Sequence, residues 1–313
     1  MIRAAVLEIC GQPPQLGTRP SPVASGTDVA ITVAAAPITP LDLLCASGTS
    51  YFGMPATPYV PGVQGVGHRA DGTAVWFATS AGMRPGDGSM AAQVVVPADD
   101  VVTLPPGVPL PLVAALGLSA IAAHSALTRS GGLIAGEQVV VLGAGGVVGQ
   151  AAVQLALLCG ARRVIAVARS EAALARSREL GAAEAVPLLA GDDVDALAIR
   201  LQEATDGPVD LVLDPVFGIP AAAALRVLRP GGRLVNLGSS AGATAPIESA
   251  VLRGGSQQIV GYTNNALSVA ERASSLAVVA GHAAAGRLTA DHEVVPFETV
   301  GDAWTRQASG EAA

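Results

Sequence analysis

At 313 residues the chain is long enough for two domains of ordinary size, and its net charge of −7 excludes a surface built for sequence-independent nucleic-acid binding. All 18 cations are arginine, so no lysine is available for Schiff-base chemistry, and a phosphate clamp must use arginine, hydroxyl or backbone N–H groups. The three cysteines, Cys10, Cys45 and Cys159, stand far apart and are odd in number, which excludes a disulfide framework or a C-x-x-C zinc lobe.

The first 110 residues read as β-rich. Strands are expected over Ala4–Ile9, Asp28–Ala36, Thr73–Ala78 and Met90–Val96, separated by turns rich in Pro, Gly and Ser. Leu41–Ala46 is the one helical segment among them, and Tyr59–Gly67 is a glycine-rich apolar strand or turn where backbones approach closely. Proline density at Leu104–Pro111 marks a linker, followed by a helix at Leu112–Leu127 carrying the polar residues Ser119, His124 and Ser125. The expected division is a domain over 1–111, to which 287–313 returns, and a second domain over 112–286.

The most informative stretch runs from Glu137 to Ser170. Val139–Leu142 suits a buried parallel strand, and Gly143, Gly145, Gly146 and Gly149 follow as G-x-G-G-x-x-G. Helix Gln150–Cys159, a Gly160 cap and strand Val164–Ala168 complete a strand, glycine turn, helix, strand unit, as in dinucleotide-binding folds. One glycine allows the turn, one lets backbone approach a pyrophosphate, and one lets helix and strand pack closely. The apolar run Val139–Ala161 is long enough to span a bilayer, but its glycines, glutamines and strand-turn-helix grammar make it a core element. An NAD site usually places Asp or Glu at the end of the second strand. Here Arg169 and Ser170 follow Ala168, which suits the 2′-phosphate of NADPH, with Glu171 as the acid an NADH site would have to use.

Alternation continues after Ser170. Helices are expected at Glu171–Leu180, Val194–Thr205, Pro220–Leu228 and Ser268–Ala285, and strands near Ala185–Leu188, Val209–Leu213, Arg233–Leu237 and Gln258–Tyr262. A turn is expected at Arg229-Pro230-Gly231-Gly232. The whole implies an α/β, doubly wound parallel sheet with ligand at the carboxyl ends of its strands. The apolar run Gln258–Tyr262 follows the last crossover and belongs at a sheet edge, where it invites pairing with a second copy in a homodimer. With no cationic leader before an apolar block, and cysteines suited to a reducing compartment, a cytoplasmic location is expected, with no membrane partner.

Several words, in order, resemble the medium-chain dehydrogenase/reductase superfamily and its zinc-independent quinone oxidoreductase and enoyl reductase branch. They are Pro40-Leu41-Asp42 with Ser47-Gly48, Tyr59-Val60-Pro61-Gly62, Gly88-Ser89-Met90-Ala91, Ala115–Ser119, Val141–Ala156 and Leu228–Arg233. The resemblance implies a GroES-like β-rich domain before the Rossmann domain. It also implies Thr39 and Ser119 beside the nicotinamide, Asp42 organising the loop of Thr39, and Tyr51 as proton donor or as a plain loop aromatic. The cofactor shell would be Gly143, Gly145, Gly146, Val147, Val148 and Gly149 at the pyrophosphate, and Arg169 and Ser170 at the 2′-phosphate. Asp214, Pro215 and Val216 would sit near ribose and adenine, and Leu237, Gly238, Ser239 and Ser240 near the carboxamide.

The chain departs from zinc-using relatives, which place Cys near Thr39 and Gly-His-Glu where Gly62-Val63-Gln64 stands; no metal is therefore expected. His68 and Cys45 read as a surface or packed histidine and a buried thiol, and Asp192, Asp193 and Asp195 as a loop and helix start. The family's closing Gly-Lys-Val-Val-Leu strand has no counterpart before Glu311-Ala312-Ala313. Three functions fit: an NADPH-dependent reductase of small-molecule quinones or α,β-unsaturated carbonyls, a biosynthetic enoyl-thioester reductase, or a non-catalytic nucleotide-binding regulator or structural protein. Arg69 and Arg84 are the basic residues that the thioester substrate would use.

Overall fold

The structure, a computed structural model, describes residues 1–311. It divides into two compact units, the first comprising Met1–Gly117, Leu276–Gly286 and the chain from Asp291 onward, the second Leu118–Ser275 with Arg287–Ala290. The first unit opens with β1 (Ile2–Val6) and β2 (Gln15–Arg19), an antiparallel pair. Then come β3 (Asp28–Ala35), α1 (Pro40–Ala46), β4 (Gln64–His68), β5 (Ala74–Ala78), β6 (Gln93–Pro97) and β7 (Val101–Thr103). These strands form an antiparallel sheet of order β6-β3-β4-β5-β7. The glycine-rich run therefore holds its central strand, with β3 and β5 on either side. Ile31, Val75, Phe77, Val94 and Val96 form the apolar face. Two of the unit's strands, β2 and β7, had no signal in the sequence: Gln15–Arg19 lacks apolar alternation, and Val101–Thr103 is too short to show it.

Helix α2 (Leu110–Ser125) crosses from one unit to the other and leaves helical geometry at Gly117 (φ 19°, ψ −121°). Glycine is required there, because a Cβ would lie 1.9 Å from Gln64 Oε1. A π-helical turn, Ala126–Ser130, prolongs the helix to 21 residues, long and apolar enough to cross a membrane, with a mean hydropathy of 1.8; 61% of its most apolar 18-residue window is buried inside the protein.

The second unit then alternates: β8 (Gln138–Leu142), α3 (Val147–Leu158), β9 (Arg163–Ala168), α4 (Glu171–Glu179), β10 (Glu184–Pro187), α5 (Val194–Ala204), β11 (Val209–Asp214) and α6 (Gly218–Val227). It continues through β12 (Leu228–Asn236), α7 (Ser249–Gly255), β13 (Gln258–Gly261) and α8 (Val269–Ala284); the last helix, α9 (Val300–Ser309), belongs to the first unit. All six strands are parallel, in the order β10-β9-β8-β11-β12-β13. The chain starts in the middle, winds outward through β9 and β10, returns to β11 and winds the other way. This is the doubly wound Rossmann sheet, and its order reverses between β8 and β11. Every residue of β8 is buried, as a central parallel strand requires.

Three differences from the sequence reading have local causes. Arg229–Gly232 falls within β12, yet Val209 pairs with Leu228 and Leu211 with Arg233, so those four residues loop out of the ladder as a turn would. Arg287–Ala290 stays with the second unit because Gln154 clasps Thr289: its Nε2 donates to Thr289 O at 2.7 Å and its Oε1 accepts from Thr289 N at 3.0 Å. The chain after Asp291 forms α9, whose Val300 and Trp304 bury against Ala4, Ala5, Val6 and Leu7.

Charge is buried at the amino end of the second sheet. Arg233 makes a two-pronged ion pair with Glu137 (Nη1–Oε1 2.7 Å, Nη2–Oε2 2.6 Å), Ile134 N donates to Glu137 Oε2, and Arg229 binds Asp210. Burial raises the Glu137 carboxyl's pKa, but the Arg233 and Ile134 hydrogen bonds and the Arg233 charge outweigh it, and the net shift is downward. Glu137→Gln leaves Arg233 buried without its counter-charge and should lower the unfolding free energy by about 3–5 kcal/mol at neutral pH. A group with a depressed folded pKa stabilises above its unfolded value, about 4.3, and loses that contribution as pH falls through the folded value. Urea unfolding should therefore show the gap between wild type and Glu137→Gln closing below that pH.

Candidate functional site

In the first unit, Thr39 caps α1 in a reciprocal arrangement with Asp42. Thr39 N and Oγ1 donate to Asp42 Oδ2 at 2.8 and 2.6 Å, while Asp42 N donates to Thr39 Oγ1 at 3.3 Å. Asp42 Oδ1 accepts from Val63 N at 2.8 Å, so this buried carboxylate ties α1 to the chain entering β4. Burial pushes its pKa up, and these hydrogen bonds offset part of the rise. The Thr39 hydroxyl spends its proton on Asp42 and presents oxygen lone pairs, so it is set up as an acceptor.

Tyr51 lies 76% exposed against Phe52, ring centroids 4.2 Å apart, and its phenol makes no hydrogen bond among the described residues. The buried tyrosine of this unit is Tyr59, which shares its surroundings with Cys45. Burial, with the Asp42 charge nearby, pushes the Cys45 thiol up to about 11, where it is inert as a nucleophile at neutral pH.

In the second unit, the expected cofactor residues stand at the carboxyl ends of β8, β9, β11 and β12, which are neighbours in the sheet. Gly145 and Gly146 are exposed or nearly so, and Gly146 is the N-cap of α3 with no side-chain cap, so the first N–H groups of that helix are open. A Cβ on Gly146 would meet nothing nearer than Gly143 O at 4.0 Å. One on Gly149 would lie 2.4 Å from Gly143 O and 2.5 Å from Ala144 Cα. The two positions differ in kind: Gly149 is a packing contact, and Gly146 keeps a space open. Ser170 caps α4 by accepting from Ala173 N at 3.2 Å, which leaves its own O–H free to donate, and Arg169 beside it is exposed.

The residues after β11 and β12 hold each other. Asp214 is fully buried; its Oδ1 accepts from Val216 N and Phe217 N (3.0 and 2.7 Å), and its Oδ2 accepts from Asn236 Nδ2 (2.9 Å). Every described contact of this carboxylate shapes the loop, and burial pushes its pKa up despite those hydrogen bonds. Leu237 N donates to Asp214 O and Ala241 N to Val216 O, which fixes Leu237, Gly238, Ser239 and Ser240 alongside Pro215. Asn236 was missed in the sequence, since a lone Asn at a strand end carries no signal. Phe217 adopts a left-handed φ of 57°, a conformation that costs a bulky residue free energy and here is held by Asp214.

Ser119 is half-buried in α2, two residues past the kink.

The zinc positions of the resembled family do not fit a metal. Val63 is a buried aliphatic, and Gln64 Oε1 accepts from Trp76 Nε1 at 2.9 Å. Among the described residues no three of His, Cys, Asp or Glu gather in a way that could hold an ion. His68 is exposed and Cys45 buried. Asp192 binds Arg200 and Leu189 N, Asp193 caps α5 by accepting from Ala196 N, and Asp195 pairs with Arg226.

A family model described as zinc-binding dehydrogenase matches residues 147–278. The polyketide synthase system protein NorB of Streptomyces orinoci is 37% identical over 166 residues, 51% of this chain and 7% of that protein. The quinone oxidoreductase of Lama guanicoe is 28% identical over 228 residues, 70% of this chain and 66% of that one. Among solved structures, the quinone oxidoreductase of Thermus thermophilus, also solved as a complex with NADPH, superposes with a TM-score of 0.77 at 29% identity, covering 98% and 97% of the two chains. The chain thus spans a small fraction of the polyketide synthase and about two thirds of the guanaco enzyme. In sequence and fold the chain is similar to the medium-chain dehydrogenase/reductase superfamily. Within that superfamily, the guanaco and Thermus thermophilus relatives are quinone oxidoreductases.

Gly149→Ala should displace the first turn of α3 and lower stability by about 1–3 kcal/mol, whereas Gly146→Ala, with φ −87° and open space, should stay within about 1 kcal/mol of wild type. Thermal unfolding of the two variants checks the difference.

Proposed function

We propose that the chain is an NADPH-dependent, zinc-independent reductase of quinones or α,β-unsaturated carbonyls. The observation that carries this reading is the pairing of an uncapped α3 N-terminus at the β8–β11 switch with an exposed Arg169 at the end of β9. Bound there, the cofactor supplies a hydride. The N–H groups of Val147, Val148 and Gly149 would hold the pyrophosphate, and Arg169 with the Ser170 O–H the 2′-phosphate. Leu237 to Ser240 would meet the carboxamide, and Pro215 and Val216 the ribose and adenine side, on the loop that Asp214 shapes. Thr39, as an acceptor, would orient a ligand N–H or O–H, and Ser119 would stand beside the nicotinamide. The proposed reaction uses no metal because the donor set at Thr39, Val63 and Gln64 is apolar or already bonded.

The polyketide synthase relative favours a second substrate class, an enoyl thioester, with Arg69 and Arg84, both outside the buried core, as its basic contacts. We place the protein in the cytoplasm, which its three free cysteines suit.

We also propose a homodimer joined through β13. That strand lies at the edge of the six-stranded sheet with Ile259 39% exposed, and a two-fold axis would pair it antiparallel with its own copy. Light scattering at micromolar concentration should give twice the chain mass, and Val260→Pro should shift the equilibrium toward monomer. A monomer in wild type rejects the dimer.

Loss of NADPH absorbance with a panel of quinones, enals and enoyl thioesters tests the reaction and separates the two substrate classes. For the cofactor, Arg169→Ala should weaken NADPH binding by about 1.5–3 kcal/mol and leave NADH almost unchanged. Equal affinity of wild type for both cofactors refutes the assignment.

A further inference from the structure

The bonds that shape the loops at the carboxyl end of the second sheet leave one side-chain acceptor over. Asn236, the last residue of β12, is half-buried, and its Nδ2 faces three oxygens: Gly238 O at 2.8 Å, Asp214 Oδ2 at 2.9 Å and Asp214 O at 3.2 Å. Three acceptors on one side leave the amide a single orientation, because turning it over would set Oδ1 against the Asp214 carboxylate. Oδ1 therefore lies on the far side of the amide from Asp214 and Gly238. It accepts from no described residue, and it is not sealed from solvent. The main chain here is fixed as well. Asn236 pairs with Asp214 on one side and Gly261 on the other, and Asn236 O accepts from Tyr262 N at 2.8 Å.

This atom differs from the acceptors around it. The main-chain oxygens of Asp214, Val216, Asn236 and Gly238 each already accept a hydrogen bond, from Leu237 N, Ala241 N, Tyr262 N and Asn236 Nδ2 respectively. Both carboxylate oxygens of Asp214 are engaged too. Fastening the loop after β11 to the loop after β12 needs only the amino half of an amide, and the carbonyl half remains open to a ligand. Donation from Nδ2 to a carboxylate also draws electron density onto Oδ1, since hydrogen bonds in a chain polarise one another. Asn236 Oδ1 is thus a strengthened acceptor on a side chain that is already immobile, one residue before Leu237 and tied to Gly238. Binding to it costs the protein little side-chain freedom.

We propose that Asn236 Oδ1 accepts a hydrogen bond from the carboxamide amino group of the bound nicotinamide and makes the site selective for a primary amide on that ring. This rests on the reductase reading, in which Leu237 to Ser240 meet the carboxamide. A primary amide brings N–H donors, and a fixed oxygen recognises them. A methyl ketone in the same place keeps the carbonyl but has no N–H to offer, so it displaces water from Oδ1 and leaves that oxygen unpaired. The same contact fixes the rotation of the ring, the part of the cofactor that carries the hydride.

The acetylpyridine analogue of NADP, in which a methyl ketone replaces the carboxamide, tests this by calorimetric titration alongside NADP itself and adenosine 2′,5′-bisphosphate, which lacks the ring. Wild type should bind the analogue about tenfold more weakly than NADP. Asn236→Ala should bind NADP about tenfold more weakly than wild type does, and should bind NADP and the analogue within about twofold of each other. Its affinity for adenosine 2′,5′-bisphosphate should stay within about twofold of wild type. Equal binding of NADP and the analogue by wild type overturns the assignment without recourse to any variant. An Asn236→Ala protein that still prefers NADP about tenfold overturns it as well. So does one that loses adenosine 2′,5′-bisphosphate in the same proportion as NADP, since a loosened Asp214 loop weakens both halves alike. Wild type that binds neither NADP nor adenosine 2′,5′-bisphosphate fails the reductase reading itself, and the assignment of Asn236 with it.

Discussion

The second unit depends on one contact, the seating of the first turn of α3 on the glycine turn after β8. A side chain at Gly149 would occupy the space of Gly143 O and Ala144, so glycine there sets how close the helix comes to the strand. That approach carries the unbonded N–H groups of α3 to the carboxyl end of the sheet, where the strand order reverses. The macrodipole and the open donors then favour an anion at that point. With β8 fully buried between β9 and β11, the ends of its neighbours gather around the same place. The residues after β9, β11 and β12 acquire shared surroundings through the sheet, with no sequence proximity among them.

Buried carboxylates in this protein serve as fasteners. Asp42, Glu137 and Asp214 are all shielded from water, and each accepts at least three hydrogen bonds. A carboxylate so occupied has little capacity left for substrate, and its removal would leave donors unpaired in a dry environment. Asp214 shows what the arrangement achieves. By accepting from two successive N–H groups it holds Phe217 in a left-handed conformation, and through Asn236 it locks the loop after β11 to the one after β12. The conformation of the loops after β11 and β12 is set by this interior bond set.

The two units solve different packing problems with similar composition. The first uses an antiparallel sheet whose glycine-rich central strand lets its neighbours close in, and α9 covers β1 with Val300 and Trp304. The second covers both faces of a parallel sheet with helices, so its strands are nearly uniform in Val, Leu and Ala. Gln64, standing where a metal-binding relative carries Glu, has become a structural residue: it holds Trp76 and fills the gap left by Gly117.

Local signals in the sequence were enough for the dinucleotide-binding unit, because strand, glycine spacing, helix and cap lie within about one supersecondary motif and each obeys short-range sterics. The parallel sheet followed from alternation alone, and the edge position of Gln258–Gly261 from its place after the last crossover. Other features had no local signature. β7 has three residues, too few to show a period, and Leu228–Asn236 became one strand because its four looped-out residues are bracketed by pairing with β11. Asp214 looked like a ligand-facing acid, and only the fold shows its oxygens turned toward Val216, Phe217 and Asn236. His124 and Ser275 meet across 151 positions in the chain, and Gln154 and Thr289 across 135. Such pairs form when the packing of distant segments brings polar groups together away from water, a choice made by tertiary structure because burial, and not sequence spacing, sets the cost of leaving them unbonded.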